Sequence, residues 1–475
     1  MRRYLTIGIL LVLAVMTAGA QGHRYCDRDY GRARTRGIVE SSVSSLVGEK
    51  HIPVVFIAYQ DVGFSTPGIM QKWDAMLNEK GYSEHGAAGS VADYFDKQSG
   101  GRFKLHFDVM GPVTLSKEMA YYGRNSNGDD VNPQEMIHEA CLLTGKDFAP
   151  YDWDGDSIVD VVLAVYAGYG ENRGGKKDAI WPHKWNIRGM KVGDLELRSY
   201  ACVSELDGRG VMDGYGTFIH EFSHCLGLPD LYPSNADVFS YFDEWDLMDG
   251  GNYANNGWSP PNYSAFERQL CDWLKPVYLT SATSVAGMPC LDEEPIAYLI
   301  RSDDNYKQYY LLENRQQRGF DRYVPGNGLL ITYVDGYNGS LFPNSGREQV
   351  KLVYADNRTY RQSEAFFGNN DKYTPDGHNN ILSLAAYPYV ADGDVNDRLT
   401  DGSVPAMAFH KPVTNIMMSD DGRISFDFMK EATAISSVTD DKAPDTWYDL
   451  QGRRLQSRPT HKGLYIHNGK KELVL

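Results

Sequence analysis

An α+β fold, in which a mixed twisted sheet with helices precedes a mainly β domain and a small C-terminal β tail, is predicted by three features. Up to about residue 278, continuous apolar runs such as Ile52 to Tyr59 alternate with segments of helical spacing. From about residue 280 the runs become short and alternating, with turn clusters between them. A polar stretch then sets the last thirty residues apart.

The 475 residues suggest two or three domains, and 42% hydrophobic with 23% charged residues is a globular composition. Thirty-two tyrosines and frequent Gly, Asn and Asp favour strands and turns. A net charge of −16 argues against nucleic acid, because phosphate binding needs a basic face. Residues 1–20 read as a secretory signal: Arg2 and Arg3 precede the apolar run Leu5 to Met16, and Ala18-Gly19-Ala20 supplies a small-x-small site. The run is too short to span a membrane comfortably, so a secreted protein without a transmembrane anchor is expected. Six cysteines permit disulfides in fifteen pairings, but are too few for a disulfide scaffold.

Residues 21–48, rich in arginine, read as an N-terminal pro-segment, and 49–278 as the first folded domain. Ile52 to Tyr59 is a buried strand. Ile69, Met70, Trp73 and Leu77 share one helix face, and Phe103, Leu105, Phe107 and Val109 alternate as in a half-buried strand. Asn132-Pro133-Gln134-Glu135 has the residues of a helix start with a capping box. In that helix His138 has Leu142 where a second metal-binding His would stand, so His138 is structural or superficial. Ile158 to Ala167 is a further buried strand. Residues 279–432 form the β domain, with runs at Ala297 to Ile300, Tyr309 to Leu312, Gly328 to Val334 and Ile424 to Phe428. Residues 433–446 are a linker. Residues 447–475 form the tail, where apolar residues flank Asn468-Gly469 as in a hairpin.

The chemistry concentrates in Thr217 to Tyr232, TFIHEFSHCLGLPDLY. On a helix, His220 and His224 lie four residues apart and project from one face toward one ion. Glu221, one position along, reaches a metal-activated water without itself coordinating. Gly227 ends the helix sharply, and Asp230 lies where the returning chain supplies a third ligand. Two imidazoles and one carboxylate leave Zn²⁺ an open position, with Glu221 as the general base in peptide hydrolysis. Met248, in the Gly-rich stretch Glu244 to Gly251, suggests a Met-turn beneath the metal. Glu244, twenty residues beyond His224, competes with Asp230 as third ligand, but leaves Gly227 without a role.

These residues resemble the immune inhibitor A family of secreted metallopeptidases. The likeness rests on HEFSHCLGLPDLY, on EWDLMDGG at 244–251, on Ser264-Ala265-Phe266, on Ala179 to Trp185 (AIWPHKW) and on Glu313 to Gln317 (ENRQQ), and runs from about residue 50 to 430. It implies a metzincin-like catalytic domain cut by an active-site cleft and followed by a β domain. The chain departs from the family in having Ser223 where members commonly have Gly, and Cys225 where they have a charged residue. Neither position is a ligand. A buried structural thiol is the plainer reading of Cys225, and a core role that of His183.

Asp152, Asp154, Asp156 and Asp160 put four carboxylates within nine residues and resemble half of a calcium loop, without the glutamate that completes an EF-hand. Solvated turn acids are the alternative. Cys26, with Asp27 and Asp29, offers a latency ligand for the open zinc position, released by cleavage at Arg32, Arg34 or Arg36. Using Cys26 on the metal would leave five other cysteines, one of them necessarily free. The tail resembles C-terminal sorting segments of Gram-negative secreted proteins. The reading is therefore a secreted, monomeric zinc endopeptidase acting on protein or peptide substrates, with zinc and calcium as its metals. The rivals are a surface-binding or adhesive protein with a degenerate protease domain, and a zinc hydrolase of non-protein amides.

Overall fold

The computed structural model describes residues 41–475 except 42, 127, 233–241, 345–347, 361–379, 392, 405–408, 431–446, 450–452, 468–469 and 475. The expected leader, Cys26 and the expected linker lie outside the described residues.

Five strands build the central sheet: β1 (Gly48–Ala58), β2 (Phe103–Thr114), β3 (Val162–Tyr169), β4 (His183–Asn186) and β5 (Ser199–Leu206). Their order is β2-β1-β3-β5-β4. Pairing is parallel except for the edge strand β4, which runs antiparallel to β5. The uninterrupted apolar run of β1 follows from burial on both faces. Val54 and Phe56 enter one core, with Trp73 and Phe218, while Val55 and Ile57 enter the other, with Met136 and Ile137.

Helices α1 (Ile69–Asn78), α2 (Val91–Gln98) and α4 (Gly216–Cys225) cover the first face, and α3 (Pro133–Thr144) covers the second. On α1 the buried residues are Ile69, Trp73, Met76 and Leu77, the spacing of one helical face. The start of α3 differs from its expected capping box. Pro133 does take the first turn, but Asn132 makes no side-chain cap. Its amide instead donates to the carbonyl of Tyr121 at 2.8 Å, and Tyr121 in turn donates to Glu135.

Two expected boundaries move. The run Ile158 to Ala167 is split: Ile158–Val159 pairs with Leu195–Leu197 in a separate small sheet, and only Val162 onward joins the central one. Asp160 stands at the break, its carboxylate accepting from the amides of Ser44 (2.7 Å) and Trp153 (2.9 Å). That bond, with buried Val43, ties residues 43–48 into the folded body rather than into a separate N-terminal segment.

Beyond α5 (Ala265–Leu270), a five-stranded sheet takes Val277–Tyr278, Ala297–Arg301, Gln308–Arg315, Gly328–Asp335 and Val350–Leu352 in that order. Ile300, Tyr310, Leu312 and Ile331 on one side pack against a three-stranded sheet carrying Val285, Ile424 and Phe426. Leu299, Leu311, Leu330 and Val350 on the other side enter the same core as Phe218 and Phe222 of α4. The β domain therefore has no separate inner face toward the central sheet's helices; the two share one core. In the tail, Gly463–His467 pairs antiparallel with Lys470–Val474, bringing His467 opposite Lys470.

Candidate metal centre

Helix α4 starts where Gly216 presses on the backbone of Asn252, whose carbonyl would lie 1.9 Å from any added Cβ. It ends at Gly227, whose φ of 94° is the left-handed conformation that glycine adopts without strain. The turn sends the chain back past Leu228 to Asp230.

Three donor atoms then converge. Asp230 Oδ1 lies 3.1 Å from His220 Nε2 and 3.2 Å from His224 Nε2, and all three residues are buried. The two rings stand perpendicular, with centroids 4.8 Å apart. Each ring is fixed from behind: His220 Nδ1 lies 2.9 Å from the carbonyl of Leu247, and His224 Nδ1 lies 2.9 Å from that of Leu228. A carbonyl only accepts, so Nδ1 is the protonated nitrogen on each ring. In the neutral rings both Nε2 lone pairs therefore face a carboxylate oxygen. His220 Nε2 and Asp230 Oδ1 make no hydrogen bond despite their closeness. Three electron-rich atoms turned toward one another in a buried site fit a cation of the zinc type, with outer hydrogen bonds orienting its ligands.

The electrostatics agree. Burial alone would push the Asp230 carboxyl up, but His224 and His220 beside it hold it well below the usual carboxylate range. Burial would likewise keep the His224 ring neutral, yet Asp230 outweighs it and raises the ring above its ordinary value.

Glu221 follows His220 on α4 and is 2% exposed. Met248 is fully buried, and its carbonyl accepts from the amide of Leu231 at 2.8 Å. Residues 247 and 248 thus hold, through their carbonyls, both a histidine ring and the residue after Asp230. Asp246 locks this turn by accepting from the Met248 amide at 2.8 Å. Glu244, only partly buried, is not among the residues whose donor atoms converge with the two histidines.

The Asp230 loop is also held from the β domain, which residue spacing did not reveal. The amide of Asp230 donates to Leu341 O at 3.0 Å, and Asn344 Nδ2 donates to Leu231 O at 2.8 Å. Asn344 Oδ1 accepts in turn from the amides of Gln349 and Val350. The ENRQQ run has a comparable bracing part. Arg315 pairs with Glu313 (3.0 Å) and Asp321 (2.6 Å), and Glu313 also accepts from the amide of Ala265 at the start of α5.

Ser223 bonds the carbonyl of Ile219 at 2.7 Å and the hydroxyl of Tyr263, so its hydroxyl links α4 to the segment before α5. Cys225 is buried in the apolar core, and no disulfide joins the five described cysteines, Cys141, Cys202, Cys225, Cys271 and Cys290. His183 spans Trp181 O (2.5 Å) and the Tyr200 hydroxyl (2.6 Å) on the α3 side of the sheet. His138 Nε2 lies 2.9 Å from Lys191 O.

Asp152, Asp154 and Asp156 bring one oxygen each within 4.8 Å of one another. Asp160 is not part of that group; it is buried and bonded to Ser44 and Trp153, as above. Arg198 binds Asp156 at 2.7 Å and lies 3.8 Å from Asp160. Among the described residues, no helix is long and apolar enough to cross a membrane.

Residues 69–278 match the family model described as immune inhibitor A peptidase M6, catalytic domain. The chain is 28% identical over 236 residues to the pre-pro-metalloprotease PrtV of Vibrio cholerae serotype O1, covering 42% of this chain and 25% of that protein. It is 28% identical over 213 residues to immune inhibitor A of Bacillus thuringiensis subsp. alesti, covering 37% of this chain and 31% of that protein. The matched part thus spans between a quarter and a third of the length of these relatives. The match ends at residue 278, so the ENRQQ run lies beyond it. The segment from residue 69 to 278, which contains all three converging donors, is thus similar to the catalytic domain of the immune inhibitor A (M6) peptidases.

Proposed function

We propose that the chain is a secreted zinc-dependent endopeptidase. The observation that carries this reading is the convergence of His220 Nε2, His224 Nε2 and Asp230 Oδ1 on one buried point. These three residues would hold the ion. Zinc bound there supplies Lewis acidity, polarising a substrate carbonyl and lowering the pKa of water toward neutrality. Glu221 takes the proton from the attacking water and returns it to the leaving amine. Leu247 and Leu228 keep the imidazoles in the tautomer that presents Nε2. Met248 serves as the Met-turn of a metzincin-like site, a role supported by its burial and its bond to Leu231. The edge strand β4 offers backbone to which an extended peptide can add.

Two further roles belong to this reading. Asp152, Asp154 and Asp156 are a calcium candidate, which calcium-dependent stability would support. Cys26 is a candidate latency ligand, for which equal activity of full-length and trimmed protein would be fatal.

The deciding experiment is digestion of unfolded casein by wild type, Glu221→Ala and zinc-chelated protein, with zinc content measured. Cleavage by zinc-loaded wild type alone is the expected result. Equal cleavage by all three would overturn the mechanism, and absence of cleavage by any would favour a binding protein.

A further inference from the structure

Beside the end of β4 lies a cavity of about 570 Å³ whose lining includes Lys184, Asn186, Arg188, Glu196 and Arg198. Three of these side chains are cationic and one is anionic, in a chain whose net charge is −16. The single carboxylate is already engaged, since Glu196 accepts from the amide of Gly189 at 2.9 Å. Arg198 is turned partly toward Asp156. Lys184 donates to Asn186 at 2.9 Å, and among the described residues neither Lys184 nor Arg188 is in an ion pair.

The cavity lies at the end of the sheet, with Ile187 and Leu197 of its lining in the core on the α3 side and Lys184 turned to the α4 side. Lys184 lies opposite Ala201 in the β4–β5 register, and Ala201 packs in the core with Phe218 and Phe222 of α4. Cys202, the next residue on β5, packs in the opposite core. Lys184 and Asn186, two apart on β4, therefore share the α4 face. β4 packs against α4, the helix that carries His220 and His224. An extended peptide laid along the outer edge of β4, where Asn186 O accepts from Gln134 Nε2 at 3.2 Å, sends alternate side chains to this face.

We propose that this cavity is a substrate subsite for an aspartate or glutamate side chain, with Lys184 and Arg188 as the specificity-determining residues. The inference rests on the peptidase reading and adds to it a substrate class: peptides carrying a carboxylate a few residues from the scissile bond. The cations contribute through Coulomb attraction and charge-assisted hydrogen bonds, both stronger in a recessed site than on open surface.

The test uses fluorogenic peptides on one common core, with Glu or Gln at each position from four before to four after the scissile bond. For wild type, kcat/KM should favour Glu over Gln by about tenfold at one position, the size of a single well-placed charge contact. The preference should shrink in molar salt. In Lys184→Ala/Arg188→Ala the Glu/Gln ratio should fall to about one, and Lys184→Glu/Arg188→Glu should favour Lys at that position. A wild type that cleaves casein but shows no Glu preference, or a double variant that keeps it, overturns the subsite and leaves the peptidase standing. A zinc-loaded wild type that cleaves neither casein nor any peptide removes the peptidase reading and the subsite with it.

Discussion

The carbonyl of Leu247 accepts from Nδ1 of His220 at 2.9 Å, so a turn twenty-seven residues downstream sets the direction of the ring that approaches Asp230. The next carbonyl, that of Met248, fixes the amide of Leu231 beside Asp230. One turn of backbone thus aligns two of the three converging donors, on either side of Gly227, and on the proposed reading its integrity bears on metal binding.

For that turn, Met248→Leu conserves volume and should cost less than about 1.5 kcal/mol, whereas Met248→Ala should cost about 2–5 kcal/mol. Denaturant unfolding of the two variants checks the difference. Equal effects would mean that the side chain does not support the turn by filling space.

Glu221→Gln keeps the shape of the side chain and removes its basicity. The expected result is a fall in kcat of about 10²–10⁴-fold with zinc content unchanged. Loss of zinc in this variant would mean that Glu221 helps to hold the metal.

Asp230→Ala should release zinc under a chelator concentration that leaves wild type and Glu244→Ala loaded. Metal analysis after dialysis reads this directly. The reverse order would transfer the third ligand to Glu244.

Zinc affinity should fall with decreasing pH from above the ordinary histidine range. Asp230 overcomes the burial that would keep His224 neutral and raises its pKa in the metal-free protein, and the ring must lose that proton before it binds. The sign follows: below the raised pKa the proton competes with the metal, and above it competition ceases. Zinc titrations at several pH values would test this, and affinity flat across the histidine range would contradict it.

Asn344→Ala should lower stability by about 1–3 kcal/mol, because the carbonyl of Leu231 and the amides of Gln349 and Val350 lose their buried partner. Zinc affinity should drop by about tenfold through the loosened Asp230 loop. A stability loss without weaker zinc binding would limit Asn344 to packing.

What the residue order makes legible here is local. Four-residue spacing puts His220 and His224 on one helix face, and a glycine in the left-handed region turns the chain at 227. Uninterrupted apolar runs mark strands buried on both faces, as in β1. The expected run Ile158 to Ala167 hid a break, since Asp160 is drawn aside by the amides of nearby Trp153 and distant Ser44, and apolar pattern carries no trace of that. The capping expectation at Asn132 failed for a similar reason, its amide being taken by Tyr121. Asn344 escaped notice because it is 113 residues from Leu231, and an Asn in a polar loop looks like any turn residue. Lys184 likewise gains meaning only when β4 takes the sheet edge and faces α4.

The shared core of the central sheet and the β domain has a consequence for how the protein comes apart. Leu299, Leu311 and Leu330 are neighbours of the residues behind the metal-bearing helix, and Leu341 and Asn344 hold the loop after it. The two regions should melt in a single cooperative transition. A fragment cut after Tyr278 would bare an apolar wall and lose the outer anchor of Asp230, so the matched segment alone is a poor candidate for an autonomous enzyme.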